Sequence, residues 1–147
     1  MRIDQWMTRE LLTVESQAAV DDARVLLKEN RINQLPVTRE GRLVGIVTDR
    51  DLLSSPADAE GAIADVMTAN PITVQPHESM QRAAVLMRRE RIGALPVVRR
   101  GELLGIVTRT DVLRAFLALA SYDRKGRGQT PPWHQEPRSK TTPPRHV

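Results

Sequence analysis

Short apolar runs alternate with amphipathic stretches along the first 122 residues. The apolar runs at residues 11–14 and 71–74 predict strands, and apolar positions at helical spacing predict helices at about 17–31 and 78–91. Two more apolar runs follow each helix, joined by a Glu-Gly or Arg-Gly pair that predicts a tight turn. These runs predict strands at residues 34–39, 43–48, 94–99 and 103–108. The last strand of each set is apolar almost throughout, which predicts burial on both faces.

The same order of elements occurs twice because the sequence itself is repeated. A shift of 60 positions aligns residues 7–53 with 67–113 without a gap, and 21 of the 47 aligned positions are identical. Two copies are too few for a solenoid and suit a pseudo-twofold pair. We therefore predict an α+β fold, with two β-α-β-β-α repeats packed as one module. Repeat 1 covers residues 1–60, repeat 2 covers 61–122, and 123–147 form a disordered, basic, Pro-rich tail.

A helix is predicted after the last strand of each repeat. The first stops before Pro56, and the second runs from Asp111 to about Tyr122 with apolar residues on more than one side. We expect one apolar stripe to pack on the sheet and the other to be covered by a partner or by the helices of repeat 1. The two predicted stripes are Val112, Phe116 and Leu119, and Leu113, Leu117 and Ala120.

Composition and charge narrow the range of functions. The chain has no cysteine, which excludes disulfides and thiolate metal sites, and no apolar run long enough for a membrane span or signal peptide. We therefore expect a soluble, cytoplasmic protein. No pair of His residues and no Ser-His-Asp set is placed for metal binding or catalysis, so we expect no metal and no enzyme activity. The net charge of +4 arises in the tail, since residues 1–122 have 16 basic and 16 acidic residues.

The motif Gly-Ile-Val-Thr-x-x-Asp ends the last strand of both repeats. Thr48 and Thr108 fall at a helix start, where free N–H groups favour an anion such as phosphate. Asp51 and Asp111, three residues later, can accept two hydrogen bonds from vicinal hydroxyls such as those of a ribose. The same residues also suit a plain helix N-terminus, with Thr as the cap and Asp complementing the dipole. The sequence leaves both interpretations open.

Taken in order, the motifs resemble a tandem pair of CBS (cystathionine beta-synthase) domains, a Bateman module, as in stand-alone CBS domain-containing proteins. The likeness rests on the repeated Gly-Ile-Val-Thr-x-x-Asp, on the turn glycines, on Met-Thr at 7–8 and 67–68, and on Leu-Pro-Val at 35–37 and 95–97. It implies clefts between the repeats that bind AMP, ADP, ATP or S-adenosylmethionine as a regulatory ligand, with no required cofactor.

The resemblance also implies ligand-binding residues from both repeats. Ribose hydroxyls are held by Asp51 and Asp111, and phosphate is touched by Thr48 and Thr108. Each motif faces the other repeat across the pseudo-twofold axis. The remaining implied cleft residues are Leu12, Ile32, Asn33 and Ile106 beside Thr108 and Asp111, and Ile46, Ile72, Ile92 and Gly93 beside Thr48 and Asp51.

The two predicted clefts differ next to the threonine. Arg109 follows Thr108 and adds a cation for phosphate, whereas Asp49 follows Thr48 and repels an anion. We therefore favour the Asp111 cleft as the phosphate site, although Arg109 also suits a solvated position in the first turn of a helix.

The predicted function is regulation through a bound adenosine ligand, with the signal passed through a homodimer or a protein partner. Two alternatives remain open. One is a structural dimerisation module with empty clefts. The other is a nucleic-acid-associated protein that uses the basic tail, which predicts strongly salt-dependent binding.

Overall fold

The computed structural model describes residues 1–54, 61–124 and 145–146. They form two compact units. The repeat-1 unit contains the described part of Glu10–Ile72, the segment Arg100–Leu103 and the strand at 145–146. The repeat-2 unit contains Met1–Arg9, Thr73–Arg99 and the chain from Leu104 to residue 124. The predicted tail otherwise lies outside the described residues.

Helices and strands follow the predicted order in both units, except for the first predicted strand of repeat 2. The repeat-1 unit has β1 (Leu12–Glu15), α1 (Val20–Asn30), β2 (Gln34–Arg39), β3 (Arg42–Thr48), α2 (Asp49–Ser54), a 3-10 turn (Ile63–Asp65) and β4 (Thr68–Ala69). The repeat-2 unit has a 3-10 turn (Ile3–Gln5), α3 (Met80–Glu90), β5 (Ala94–Arg99), β6 (Glu102–Thr108) and α4 (Arg109–Arg124). The strand at Arg145–His146 is β7. The mixture of strands and helices confirms the predicted α+β class.

The repeat-1 sheet has the strand order β4-β3-β2-β1-β7. β2 and β3 form an antiparallel hairpin, β1 runs parallel to both β2 and β7, and β4 pairs antiparallel with β3. Both residues of the hairpin turn have positive φ angles, 51° at Glu40 and 76° at Gly41, as a two-residue type I′ turn requires. Arg100 and Gly101 repeat this turn between β5 and β6, at 51° and 79°. The predicted tight turns are confirmed.

The predicted strand at residues 71–74 is wrong. Val74 forms a single parallel bridge with Val97, and the residues before it pair with no strand among the described residues. In repeat 1 the equivalent residues have a partner, because Leu12 and Thr13 pair with Arg145 and His146 of β7. The pairing of β1 with β2 also extends further, since the backbone N–H of Ser16 donates to the carbonyl of Thr38 at 2.9 Å. The residue equivalent to Ser16 in repeat 2 is Pro76, which has no N–H to donate.

The segment that precedes each repeat's first strand packs in the unit of the other repeat. Thr8 exchanges two backbone hydrogen bonds with Ile106 of β6, at 2.8 and 3.0 Å. In the same way, Thr68 of β4 pairs with Ile46 of β3. The compact units therefore differ from the sequence repeats, because each contains the Met-Thr segment of the other repeat.

The pairing of each Met-Thr segment with the last strand of the other repeat explains the glycine in Gly-Ile-Val-Thr. A Cβ atom at Gly105 would lie 2.8 Å from the carbonyl oxygen of Thr8, and one at Gly45 would lie 2.9 Å from that of Thr68. Neither backbone can withdraw without breaking the pairing, so both positions exclude a side chain. The Met-Thr and Gly-Ile-Val-Thr motifs are therefore two halves of one contact.

Each unit has its own hydrophobic core. In the repeat-1 unit, residues from α1, β2 and β3 surround Ile63, which is fully buried. In the repeat-2 unit, residues from α3, β5 and β6 surround Ile3, which is also fully buried. The last strands are buried at Val47 and Val107 but only half-buried at their start, next to the exposed hairpin turns. The predicted burial on both faces therefore holds for only part of each strand.

Helix α4 has one exposed apolar stripe, which differs from both predicted stripes. Leu113, Phe116 and Leu117 are 61%, 62% and 63% exposed. Ala115 is 2% exposed and packs in the core, with Val112 half-buried against it. Phe116 was grouped with Val112, but the 100° step of the helix places it between Val112 and Leu113, about 40° from one and about 60° from the other. Its exposure shows that it faces solvent with Leu113 and Leu117.

Candidate functional site

The Thr-x-x-Asp motif of repeat 1 forms the junction between β3 and α2. The backbone N–H of Thr48 donates to Oδ2 of Asp51 at 2.9 Å, and the N–H of Asp51 donates back to Oγ1 of Thr48 at 3.1 Å. This reciprocal pair is a capping box with Asp in place of the usual Glu. The capping interpretation of the motif is therefore confirmed for repeat 1. It occupies one carboxylate oxygen of Asp51, and both side chains are half-buried.

The same junction in repeat 2 has additional contacts. The N–H of Thr108 donates to Oδ2 of Asp111 at 2.9 Å, and the N–H of Asp111 lies 3.4 Å from Oγ1 of Thr108. The carboxylate also accepts from the hydroxyl of Thr8, at 3.3 and 3.4 Å, and from the guanidinium of Arg114, at 3.2 Å. Asp111 is only 2% exposed.

The other residues predicted in repeat 2 surround this junction. The backbone N–H of Arg109 donates to the carbonyl of Gly93 at 3.1 Å. The Arg109 guanidinium lies over Gly93, 3.7 Å from where a Cβ atom would stand. Ile106 is buried in β6, and Ile92 is half-buried against the core. Arg109 is exposed, so its cation is accessible to solvent.

In the repeat-1 unit, the backbone joins Asn33 to the start of α2. The N–H of Asp49 donates to the carbonyl of Asn33 at 3.0 Å, and Ile32 is half-buried against the core. Ile46 and Leu12 are half-buried in their strands, and Ile72 is 39% exposed. The predicted partnerships across the pseudo-twofold axis join residues of different units, except that Ile72 lies in the unit of Thr48 and Asp51. They stay a prediction. So does the assignment of these residues to a ligand site.

A pocket of about 460 Å³ lies in the repeat-1 unit between α1, α2 and the loop that joins α1 to β2. This volume is in the range of small-molecule pockets. The wall includes two predicted ligand residues, Ile32 and Asn33, together with Asp49. The remaining residues of the wall are apolar or basic. The apolar ones are Leu27, Leu52 and Leu53, and the basic ones, which outnumber Asp49, are Arg24, Lys28 and Arg31. This balance of charge favours an anion over a cation.

Three residues at this junction were not predicted as site residues from the sequence: Thr8, Trp6 and Arg114. Arg114 contacts Asp111 and also lies over the ring of Trp6, with 5.9 Å between its guanidinium carbon and the ring centroid. Trp6 packs against the repeat-2 core, and its Nε1 is buried without a hydrogen-bond partner among the described residues. Thr8 had a signal in its identity with Thr68, whereas Trp6 and Arg114 have none because the repeat has Val66 and Ser54 there.

The described part of the chain has neither a metal-binding cluster nor a membrane-spanning helix. No cluster of three or more His, Cys, Asp or Glu side chains is placed to hold a metal ion in residues 1–54, 61–124 and 145–146. Within the same ranges, no helix has the length and apolar character needed to cross a bilayer.

The fold and the repeated strand-to-helix junctions define a tandem pair of small regulatory-type domains. The CBS domain family model matches residues 3–58 and again residues 63–118. The chain belongs to the CBS domain family and has two CBS domains in tandem. The resemblance drawn from the motifs is confirmed.

Relatives include enzymes as well as small CBS proteins. An inosine-5′-monophosphate dehydrogenase of Korarchaeum cryptofilum is 40% identical over 86% of this chain, which spans only 27% of the enzyme's length. A CBS domain-containing protein of Dictyostelium discoideum is 35% identical, and the match covers 76% of this chain and 88% of that protein. The chain thus spans about a quarter of the enzyme and most of the small protein.

Solved structures of CBS domain pairs share the fold. CBSX2, a CBS-pair protein of Arabidopsis thaliana solved in complex with AMP, matches with a TM-score of 0.74 and 34% identity. The match covers 81% of this chain and 98% of that one. The CBS domain pair of protein MJ0100, in complex with 5′-methylthioadenosine and S-adenosyl-L-methionine, has a TM-score of 0.73 and 31% identity, covering 79% and 95% of the two chains.

Proposed function

We propose that this chain is a regulatory module that binds an adenosine-containing ligand and transmits its bound state through a homodimer or a protein partner. The ligand is AMP, ADP, ATP or S-adenosylmethionine, and the module acts in the cytoplasm without catalysing a reaction. One observation carries the proposal. The chain has two Thr-x-x-Asp helix starts in a CBS-pair fold that is similar to structures solved with AMP and with S-adenosyl-L-methionine.

The chemistry of these helix starts suits a nucleotide. The first turns of α2 and α4 have backbone N–H groups and a positive dipole end, which favour phosphate. A carboxylate beside them can accept hydrogen bonds from ribose hydroxyls. In the repeat-1 unit, a pocket of suitable size and favourable charge adjoins the same helix start.

Thermal unfolding of the purified protein with candidate ligands tests the proposal. AMP, ADP, ATP and S-adenosylmethionine are compared with GTP and with no ligand. A ligand at 100 times its dissociation constant adds about 2.7 kcal/mol to the free energy of unfolding. For a chain of this size we expect Tm to rise by several degrees with at least one adenosine compound and not with GTP.

Two other outcomes would favour the alternatives. If no adenosine compound raises Tm at millimolar concentration, the chain is better described as a structural module with empty clefts. If the protein instead binds nucleic acid with a steep salt dependence that is lost when residues 123–147 are removed, the basic tail is the functional part.

Exposed apolar residues on the helices support a homodimer. Leu113, Phe116 and Leu117 form the exposed stripe of α4, and Val85 of α3 is 56% exposed. Two equivalent residues in the repeat-1 helices are exposed as well. Val25, the equivalent of Val85, is 47% exposed, and Leu53, the equivalent of Leu113, is 84% exposed. Apolar side chains kept at exposed positions in both repeats are typical of an interface. We propose a second copy of this chain as the partner.

A further inference from the structure

The two Thr-x-x-Asp carboxylates are equivalent in sequence but not in their contacts. At Asp51, the structure gives Oδ2 one donor, the N–H of Thr48 at 2.9 Å. Within the described residues, no donor lies at hydrogen-bond distance from its other oxygen, Oδ1. A carboxylate oxygen accepts two hydrogen bonds, so Asp51 retains capacity for two hydroxyl donors on Oδ1 alone.

At Asp111, both carboxylate oxygens already accept hydrogen bonds. Oδ2 accepts from the N–H of Thr108 at 2.9 Å and from the Thr108 hydroxyl at 3.1 Å. Oδ1 accepts from Arg114 at 3.2 Å, and the hydroxyl of Thr8 lies 3.3 to 3.4 Å from both oxygens. The side chain is 3% exposed. A ribose diol would have to displace these donors from a buried group, which is costly.

The donors at Asp111 are themselves held in place. Thr8 exchanges two backbone hydrogen bonds with Ile106, and Arg114 lies over the ring of Trp6. The repeat-1 unit lacks this arrangement because Val66 stands where the repeat-2 unit has Trp6, and Ser54 stands where it has Arg114. Thr8 and its equivalent Thr68 are both exposed, but within the described residues the Thr68 hydroxyl makes no hydrogen bond to Asp51, whereas the Thr8 hydroxyl donates to Asp111.

We infer that Thr8, Arg114 and Trp6 close the Asp111 carboxylate to ligand, and that Asp51 is the carboxylate that accepts the ribose hydroxyls. This inference rests on the proposed function and deepens it. It reverses the preference for the Asp111 cleft that the sequence favoured through Arg109.

The matched variants Asp51→Asn and Asp111→Asn test the assignment. Titration calorimetry with AMP and with 2′,3′-dideoxyadenosine 5′-monophosphate, which lacks the diol, measures the contribution of the ribose hydroxyls. We expect the wild type to bind AMP at least about tenfold more tightly than the dideoxy compound. Asp51→Asn should weaken AMP binding by a similar factor and abolish the preference for AMP over the dideoxy compound. S-adenosylmethionine is titrated into the same variants.

Asp111→Asn should keep both the AMP affinity and the diol preference within about twofold, because Asp111 takes no part in binding. It should instead lower Tm by several degrees, since its amide N–H₂ would replace a buried acceptor that faces donors. If this variant does not fold, Arg114→Gln replaces it. This substitution removes a donor at Asp111 and should leave the AMP affinity unchanged.

The contrary results are distinct. Loss of the diol preference in Asp111→Asn but not in Asp51→Asn, or a fall in AMP affinity in Arg114→Gln, would overturn the inference and leave the proposed function intact. A wild type that binds none of AMP, ADP, ATP and S-adenosylmethionine would overturn the proposed function and the ligand role of Asp51 together. Equal Tm values for Asp111→Asn and Asp51→Asn would overturn the structural role of Asp111.

Discussion

The hydroxyl of Thr8 lies 3.3 Å from Oδ2 of Asp111, a residue 103 positions later in the chain. The same threonine exchanges backbone hydrogen bonds with Ile106, so the segment before repeat 1 completes the sheet edge of the repeat-2 unit. Side chain and backbone thus attach the N-terminal segment to the strand-to-helix junction of repeat 2. The stability of that junction depends on residues that the sequence places in the other repeat.

Thr8→Val tests this dependence. The substitution keeps the shape of the side chain but removes the hydroxyl that donates to a buried carboxylate. We expect a loss of about 1 kcal/mol in the free energy of unfolding, measured by urea denaturation. The matched control is Thr68→Val, because Thr68 is exposed at the equivalent position of β4 and, within the described residues, does not donate to Asp51 as Thr8 donates to Asp111. The control should stay within about 0.5 kcal/mol of the wild type. Equal losses in both variants would show that the contact with Asp111 adds no stability.

Alanine at the two motif glycines should destabilise the chain. In Gly105→Ala the new Cβ atom would meet the carbonyl oxygen of Thr8 at 2.8 Å, and in Gly45→Ala it would meet that of Thr68 at 2.9 Å. Backbone atoms fixed by strand pairing move little, so we expect each variant to lose about 1–3 kcal/mol in the free energy of unfolding.

Gly93→Ala is the matched control for this clash. Its Cβ atom would meet only the mobile end of Arg109, at 3.7 Å, and Gly93 does not have a positive φ angle. We expect this variant to be as stable as the wild type or slightly more stable. If Gly45→Ala and Gly105→Ala unfold at the same urea concentration as Gly93→Ala, the close approach of the Met-Thr segments is wrong.

Much of the fold could be predicted because the repeat makes each local pattern visible twice. The helices, the hairpins and their turn residues depend on apolar spacing and on glycine at positive φ, which are local properties of the sequence. The strand predicted at residues 71–74 was wrong because a strand needs a partner. Leu12 and Thr13 of β1 pair with β7, whereas the equivalent residues 72–73 pair with no strand among the described residues. The periodicity of a single segment does not contain that information.

The exchange of the Met-Thr segments could not be predicted from apolar spacing. Thr8 and Ile106 meet through backbone atoms, which have no signature of their own in the side-chain pattern. The gapless shift of 60 positions did extend back to Ile3 and Ile63, the buried residues of the two 3-10 turns. For the candidate site, the repeat predicted two carboxylates in equivalent surroundings, with clefts that differ only next to the threonine. The unrepeated residues Trp6 and Arg114 instead give the two carboxylates different contacts.

Ser16→Pro should shorten the pairing of β1 with β2. The substitution removes the N–H that donates to the carbonyl of Thr38 at 2.9 Å, and the proline at the equivalent position 76 shows that the chain path tolerates the ring. Ser16 is 3% exposed, so the carbonyl of Thr38 would lose its partner in a buried place. We expect a loss of about 1–3 kcal/mol in the free energy of unfolding relative to Ser16→Ala, which keeps the N–H. Equal stability of the two variants would show that this hydrogen bond adds no stability to the pairing of β1 with β2.

Phe116→Glu tests the proposed homodimer. Phe116 lies in the middle of the exposed stripe of α4 and is 62% exposed, so a charge there should not disturb the monomer's core. In an apolar interface between two copies, the same charge would be buried without a partner. Sedimentation velocity should show a dimer for the wild type and at least about a hundredfold weaker association for the variant, equivalent to about 2.7 kcal/mol.

The control for Phe116→Glu is Asn70→Asp, which adds the same charge at an exposed turn residue outside the helices. This control should dimerise like the wild type, and circular dichroism should show that both variants keep their secondary structure. A wild type that sediments as a monomer at high micromolar concentration would refute the homodimer. A Phe116→Glu dimer of unchanged strength would place the interface elsewhere, since an unpaired carboxylate in the centre of an apolar contact cannot be accommodated without cost.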